Sequence, residues 1–532
     1  MTRLSLGRRA AADWVPVAGA AALAVALTLR ATARYGPGAE PDTVTYLAAA
    51  HHLRAGQGFA DIDGSPLTLF PPVFPAAVAA LEWFGLGPLP AARILNAALL
   101  GLLVVLTAVW TRRISGSRPL GAAVAVIVAV ATPMVAMAST ALSEPIGIVL
   151  VVACLALLTE AVRARPATSG AGSGGGALAG LAGLVAALAC LTRYASVVLF
   201  PVGLVVLLTR PGRWRARIRP AAAFLAAGLL PFGAWLARNV AVAGNATGDG
   251  RGASALTLLT SLKLTLAAVG AWVLPHSSPL VARAVVGGVS GAAVAGVVVV
   301  AAVAERRRGP SSGLPAPGPG PGPAGLALPA AVFVVLGIGS VAWFEATMAI
   351  DPPPRFVLPV FVPLVVGAAV VAADLARRWA WRPAVGGALV AVVVTASLPG
   401  LGVFLRQAER RGLLDYSTPA WASSPLLAYL KDHPLRGPVA SDDPYILDLR
   451  LGIPADLTPA RTYYASTEPT GELPKFVQRA ARAAAGGGLS VVWFPRSYQP
   501  YLYSLPDLRR ALCLTVERHF ADGDLLRSCP GT

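Results

Sequence analysis

Residues 94–113 read ILNAALLGLLVVLTAVWTRR, and this stretch decides the fold. Its first seventeen residues carry no charge, within the range a helix needs to cross the hydrocarbon core of a bilayer, and arginines close the run. The 532-residue chain repeats that pattern along most of its length: 55% of it is hydrophobic, 13% is charged and the mean hydropathy is +0.65. Such a composition excludes a soluble globular protein and predicts a polytopic membrane protein. The net charge of +18 would suggest nucleic acid in a soluble chain. Here the excess is almost all arginine in short loops between apolar runs, since lysine occurs only at Lys263, Lys431 and Lys475. That is the positive-inside pattern, and nucleic-acid binding is excluded on it.

Upstream, Arg3, Arg8 and Arg9 precede an apolar run over residues 14–29. A secretory signal ending near Ala31-Thr32-Ala33 is one reading, but Arg30 interrupts the approach to that site, so the run is taken as an uncleaved first span with the N-terminus inside. Residues 34–75 are then an outer loop. Within it, PDTVTYLAAAHHLRAGQGFADIDGSPLTLFPPVFP (41–75) holds Asp42, His51, His52, Asp61 and Asp63. On a helix starting near Pro41, Asp42, Tyr46, Ala49 and Leu53 share a face, and Asp42 lies in the first turn, where the helix dipole attracts negative charge. Gly56, Gly58, Pro71, Pro72 and Pro75 end that helix and begin a second apolar run over 73–84, too short to span.

Downstream, spans are predicted near 120–137, 142–160, 177–191, 195–209, 219–237, 283–303, 326–344, 356–373 and 383–403. With the spans at 14–29 and 94–110 they make about eleven, N-terminus in and C-terminus out. The run at 256–274, which contains Lys263, reads as an outer interfacial or re-entrant helix, because spanning there would put Arg306, Arg307 and Arg308 outside. Low-complexity linkers at 166–176 and 309–325 fall inside. Residues 1–404 thus form a membrane module. Residues 405–532 have no spanning run and form an outer domain, in which SPLLAYLKDH and KFVQRAARAAA read as helices and GPVASDDPYILDL and LSVVWFP as strands of a small α/β layer. Cys513 and Cys529 lie there, as a disulfide in an oxidising compartment or as two buried thiols.

Taken in order, PDTVTYLAAAHHLRAGQGF, PPVFP, ARILNAAL, ALSEPIG, LTRYASVVLFP, RNVAVAGNATG and PPPRFVLPV resemble the GT-C superfamily of integral-membrane glycosyltransferases. The likeness is to the bacterial branch that includes protein O-mannosyltransferase, aminoarabinose transferase and RgtA/B/C/D-like enzymes. It covers the membrane module throughout and the C-terminal domain only loosely. It implies transfer of a sugar from a polyprenyl-phosphate donor to a glycan, glycolipid or protein acceptor at the outer face of the cytoplasmic membrane.

The resemblance puts the general base on Asp42, and a carboxylate within hydrogen-bond reach of an acceptor hydroxyl suits that task. A helix cap is the plainer role for Asp42. The anionic leaving group calls for cations on the outer side, and Arg355, Arg238, Arg193 and Lys263 are the candidates. Arg355 is preferred because it precedes a span just after DPPP and, by the resemblance, matches the family's arginine before an LP-containing helix, with a snorkelling anchor as its alternative; anchoring is the readier account of Arg193 and Arg238. Glu144 is implied to line the same cavity as Asp42, or else is a first-turn acid stabilised by the dipole. Tyr46 and His52 are carried as substrate-binding candidates. His51 and His52 lack metal-ligand spacing, and Asp61, Asp63, Asp442 and Asp443 read first as turn residues. Some relatives need a divalent cation, and nothing in these residues demands one.

Two other classes share the many spans. A transporter or lipid flippase would place charges or broken helices near the midplane, and a non-enzymatic scaffold would not require an acid-rich first loop.

Overall fold

The computed structural model describes residues 13–164, 174–210, 213–248, 254–275, 277–307, 322–348, 354–378, 383–435, 437–463, 468–484 and 488–529. The linkers expected at 166–176 and 309–325 fall largely outside these residues.

Helix α1 (Val15–Ala31) leads to the first loop, whose α2 (Pro41–Arg54) and short α3 (Val73–Glu82) lie where glycine and proline place them. Then come α4 (Pro88–Ser115), α5 (Arg118–Val130), α6 (Thr132–Ala138), α7 (Glu144–Arg163), α8 (Gly174–Cys190), α9 (Leu199–Leu208) and α10 (Trp214–Ala243). The membrane part closes with α11 (Leu258–Gly270), α12 (Leu280–Arg307), α13 (Pro323–Thr347), α14 (Leu358–Arg378) and α15 (Pro383–Arg411). Each of the expected spans falls on helix. By length and composition seven of the described helices suffice alone to cross a membrane, or eight when α5 and α6, bent by 59° at their junction, count as one broken span. The others, such as the 17-residue α1, are apolar but shorter. The chain is a multi-pass membrane protein.

Small residues let these helices approach closely, as expected where lipid offers no hydrophobic drive between them. A Cβ on Gly183 of α8 would sit 2.0 Å from the Phe224 carbonyl oxygen of α10, so only glycine permits that crossing.

The last membrane helix runs on to Arg411, and the C-terminal domain follows. It contains α16 (Pro425–Asp432), β1 (Val439–Ser441), α17 (Pro444–Leu451), β2 (Asp456–Leu457), α18 (Glu472–Ala484), β3 (Ser490–Trp493), α19 (Leu505–Leu512), β4 (Leu514–Phe520) and β5 (Gly523–Ser528). The five strands form one mixed sheet in the order β2-β1-β3-β5-β4, with β1 parallel to both neighbours and the β4–β5 hairpin antiparallel on β3. Ser424 caps α16 by accepting from Leu427 N, as its position before the periodic run suggests. The stretch GPVASDDPYILDL corrects the strand expected there: only its VAS segment is strand, and Asp443 caps a helix that begins at Pro444. Proline after a capping aspartate is a helix start, which outweighs the β-branched content. Cys513 and Cys529 are disulfide-bonded and tie together the open end of the β4–β5 hairpin.

The domain rests on the first loop. One apolar core joins Ala39 and Val44, at the start of α2, to Trp421, Leu427, Ile446 and Phe494 of the C-terminal domain.

Candidate active site

Helix α2 opens at Glu40, not at Asp42. Glu40 has extended backbone angles, its carbonyl accepts from Thr43 N and Val44 N, and its own N–H donates to Thr43 Oγ1 at 3.2 Å. Pro41 follows at the first helical position. The alternative in which Asp42 caps the helix is therefore corrected: Asp42 stands inside the first turn with its carboxylate free for other partners.

Those partners come from across the fold. Arg355, after α13 and just before α14, donates from Nη2 to Asp42 Oδ2 at 2.8 Å and pairs through Nη1 with Glu40 Oε1. Its Nε lies 3.6 Å from Glu144 Oε1. Glu144, in the first turn of α7, is 1% exposed, and Arg193 Nη1 approaches the same oxygen at 2.6 Å. Arg193 also donates to Ser143 Oγ at 3.3 Å, and Ser143 in turn shares a hydrogen bond of 3.0 Å with the phenol of Tyr46. Both guanidinium groups lie over the ring of Phe356, at 5.3 and 5.6 Å from its centroid. Gly147 leaves room for this, since a Cβ there would come within 3.3 Å of Arg193 Cδ.

Three carboxylates thus face two guanidinium groups at one end of the bundle. Of the five side chains Asp42 is the most open, at 29% exposure, while Glu144 is sealed. Burial pushes the Glu40 carboxyl up to about 7; Arg355 opposes that shift, and the charges of Asp42 and Glu144 add to it. Burial likewise pushes the Tyr46 phenol upward, which keeps it a donor. Tyr46 is packed against Phe70 and Phe74, with ring centroids 4.8 and 5.2 Å away, so it holds α2 in place. Chemically, the cluster offers an accessible carboxylate beside two forked cations suited to a phosphate.

The remaining candidates stand elsewhere. Arg238 donates to the carbonyls of Leu67 (2.9 Å) and Phe59 (3.4 Å) and stacks on Trp235, so it fastens the first loop to α10. His52 bonds Gln57 at 2.6 Å at the end of its own helix. Lys263 is exposed on α11, with no ion pair among the described residues. Asp61 and Asp63 accept from Ile62 N and Ser65 N, as turn residues do. Asp442 and Asp443 are buried between β1 and α17 rather than in an exposed turn. Among the described residues no group of three or more His, Cys, Asp or Glu is placed to hold a metal ion; the carboxylates of Glu40, Asp42 and Glu144 are spanned by the Arg355 guanidinium. Sequence reading missed Glu40 and Ser143. Glu40 is two residues from Asp42, a spacing that points to opposite helix faces; its non-helical backbone is what turns it back toward Arg355.

The family model described as dolichyl-phosphate-mannose-protein mannosyltransferase matches residues 59–238, about a third of the chain. No curated protein matches the sequence. Among solved structures, ArnT from Cupriavidus metallidurans in the apo state is similar over 98% of this chain and 99% of its own, with a TM-score of 0.60 and 15% identity. The same protein bound to undecaprenyl phosphate gives 0.55 and 16%, over 95% and 96% of the two chains. The oligosaccharyltransferase AglB from Archaeoglobus fulgidus, in complex with an inhibitory peptide and a dolichol-phosphate, gives 0.53 and 12% over 90% of this chain and 69% of its own. At these identities the likeness is one of fold, and it extends through the C-terminal domain.

Proposed function

On a chain with the fold of the GT-C integral-membrane glycosyltransferases, we propose a transferase that moves a sugar from a polyprenyl-phosphate donor to an acceptor hydroxyl at the outer face of the cytoplasmic membrane. Its N-terminus is inside and its C-terminal domain outside. The observation that carries this reading is the accessible Asp42 carboxylate, held 2.8 Å from Arg355 beside the buried Glu144–Arg193 pair.

The acceptor oxygen attacks the anomeric carbon as the bond from that carbon to the phosphate oxygen breaks. Asp42 takes the proton of the acceptor hydroxyl. The leaving polyprenyl phosphate gains a negative charge, which Arg355 and Arg193 stabilise. Drawing Arg355 onto the phosphate also releases Asp42 from its ion pair, so the base is freed as the donor seats. Glu144 keeps Arg193 oriented, and Tyr46 holds Ser143. The undecaprenyl phosphate bound by ArnT and the dolichol-phosphate bound by AglB support a lipid-phosphate donor.

The test is transfer of a labelled sugar from a polyprenyl-phosphate donor by the purified protein in lipid. Wild-type protein releases polyprenyl phosphate as the acceptor gains the label; Asp42→Asn binds the donor without transfer. Normal transfer by the variant removes Asp42 from the role of base.

A further inference from the structure

The run Pro37–Ala39, immediately before Glu40, is clamped on two sides. On one, Gly38 N donates to Ser139 O at 2.9 Å and Ala141 N to Gly38 O at 2.8 Å, a parallel bridge to the segment that leads into Glu144. Asn96 of α4 pins that segment in turn, donating to Thr140 O at 2.7 Å and Leu142 O at 3.0 Å. On the other side stands the C-terminal domain: Tyr416 N donates to Ala39 O at 3.0 Å and Ser417 Oγ to Pro37 O at 2.5 Å. The loop that brings these two residues in turns tightly at Gly412, whose φ is +74° and where a Cβ would meet Ser417 O at 1.9 Å. Gly38 lies close beneath it, since a Cβ there would be 3.1 Å from Leu413 Cβ.

Tyr416 is 3% exposed and held from three directions. Its phenol donates to Asp443 Oδ1 at 2.6 Å, its carbonyl accepts from Arg450 Nη2 at 2.8 Å, and its ring meets Trp421 edge to face at 6.1 Å. Asp443 caps α17 and Arg450 stands in its last turn. A shift of α17 is therefore passed through Tyr416 to the main chain three residues before Asp42.

We propose that Tyr416, anchored by Asp443, is a positioning residue for Asp42, through which the C-terminal domain sets the placement of the carboxylate-bearing first turn of α2. This rests on the reading of Asp42 as the base. Proton transfer needs the carboxylate within about 3 Å of the acceptor hydroxyl. A displacement of about 1 Å far from the chemistry is enough to cost on the order of 100-fold in rate.

The experiment compares kcat per donor-binding site, with sites counted by stoichiometric binding of polyprenyl phosphate so that misfolded protein does not enter the rate. Tyr416→Phe keeps the ring and loses the bond to Asp443; kcat per site is expected to fall by about 10-fold with the donor KM within about twofold. Asp443→Asn retains an oxygen that accepts from the phenol and from Ile446 N, and is expected to stay near wild type. Asp443→Leu, which also removes the cap of α17, should fall at least as far as Tyr416→Phe, and the double variant should be no slower than Asp443→Leu. If Tyr416→Phe does not accumulate, Ser417→Ala, which frees Pro37 O on the same run, carries the same expectation. Wild-type kcat per site in Tyr416→Phe, or in Ser417→Ala where that replaces it, overturns the proposal while leaving Asp42 as base intact. Normal transfer by Asp42→Asn instead overturns the reading on which it rests.

Discussion

Two clusters of carboxylates among the described residues are built on opposite principles. Glu40, Asp42 and Glu144 meet the guanidinium groups of Arg355 and Arg193, and Asp42 remains open to solvent. Asp442 and Asp443, 3% and 5% exposed, have no arginine within ion-pair distance among the described residues. Asp442 Oδ1 accepts from Phe494 N at 2.8 Å while its Oδ2 is buried with no hydrogen-bond partner among the described residues; Asp443 is satisfied by the Tyr416 phenol and the first turn of α17. Burial pushes these two carboxyls up to about 8 and about 6. Removing water without supplying a cation favours the neutral acid, which suits a rigid core. Supplying cations and leaving an opening gives a site that can exchange partners, as phosphate binding and proton abstraction require. Acid content alone does not distinguish them; the companions do.

Variants sharpen that contrast, and the largest effect is expected at Asp42. Asp42→Asn should lower transfer on the order of 1,000-fold, in the range of a lost general base, measured as labelled product per unit time. Arg355→Ala should come next. It leaves the Glu40, Asp42 and Glu144 carboxylates without their shared cation, a loss of about 3–5 kcal/mol by the usual penalty for breaking a buried pair, seen as a lower unfolding midpoint together with lost donor binding. Arg355→Lys should recover only part of that binding, because an ammonium cannot span the same oxygens as a fork.

A smaller effect is expected in the pH dependence of donor binding. Burial holds the Glu40 carboxyl up at about 7, and on the proposed mechanism the donor phosphate draws off Arg355, the cation that favours its charged form. Donor binding then takes up a proton, so the donor KM should be lower at pH 6 than at pH 8, and Glu40→Gln should flatten the difference. The smallest change is expected from Asp442→Asn. A carboxyl raised from its ordinary value to about 8 by folding contributes stability that is fully present below pH 4 and lost as pH rises through 8. The variant should show a shallower fall in stability across that window by thermal unfolding, and unchanged transfer. A large loss of transfer there would end the division between a working cluster and a structural one.

Much of this was legible in the chain. Apolar run length placed the helices, and proline and glycine placed both ends of α2. Asp42, Glu144, Arg193 and Arg355 were each singled out, yet 313 residues separate Asp42 from the guanidinium that binds it, and no local pattern encodes such a pairing. Arg193 looked like an anchor because its partner, Glu144, is brought up only by the packing of α7. Glu40 was hidden by helical arithmetic that does not apply at a cap. Arg238, a candidate cation for the leaving group with anchoring as the readier account, is occupied by carbonyls of the loop folded over it. In the C-terminal domain, Asp443 and Pro444 announce a helix to anyone weighing caps above β-branched residues.

The most direct measurement is the mass spectrum of lipid-linked sugars from cells whose only copy of this protein carries Asp42→Asn. The account predicts that one polyprenyl-phosphate sugar accumulates while the corresponding envelope glycan loses that residue. A lipid profile and a glycan identical to those of wild-type cells would contradict it.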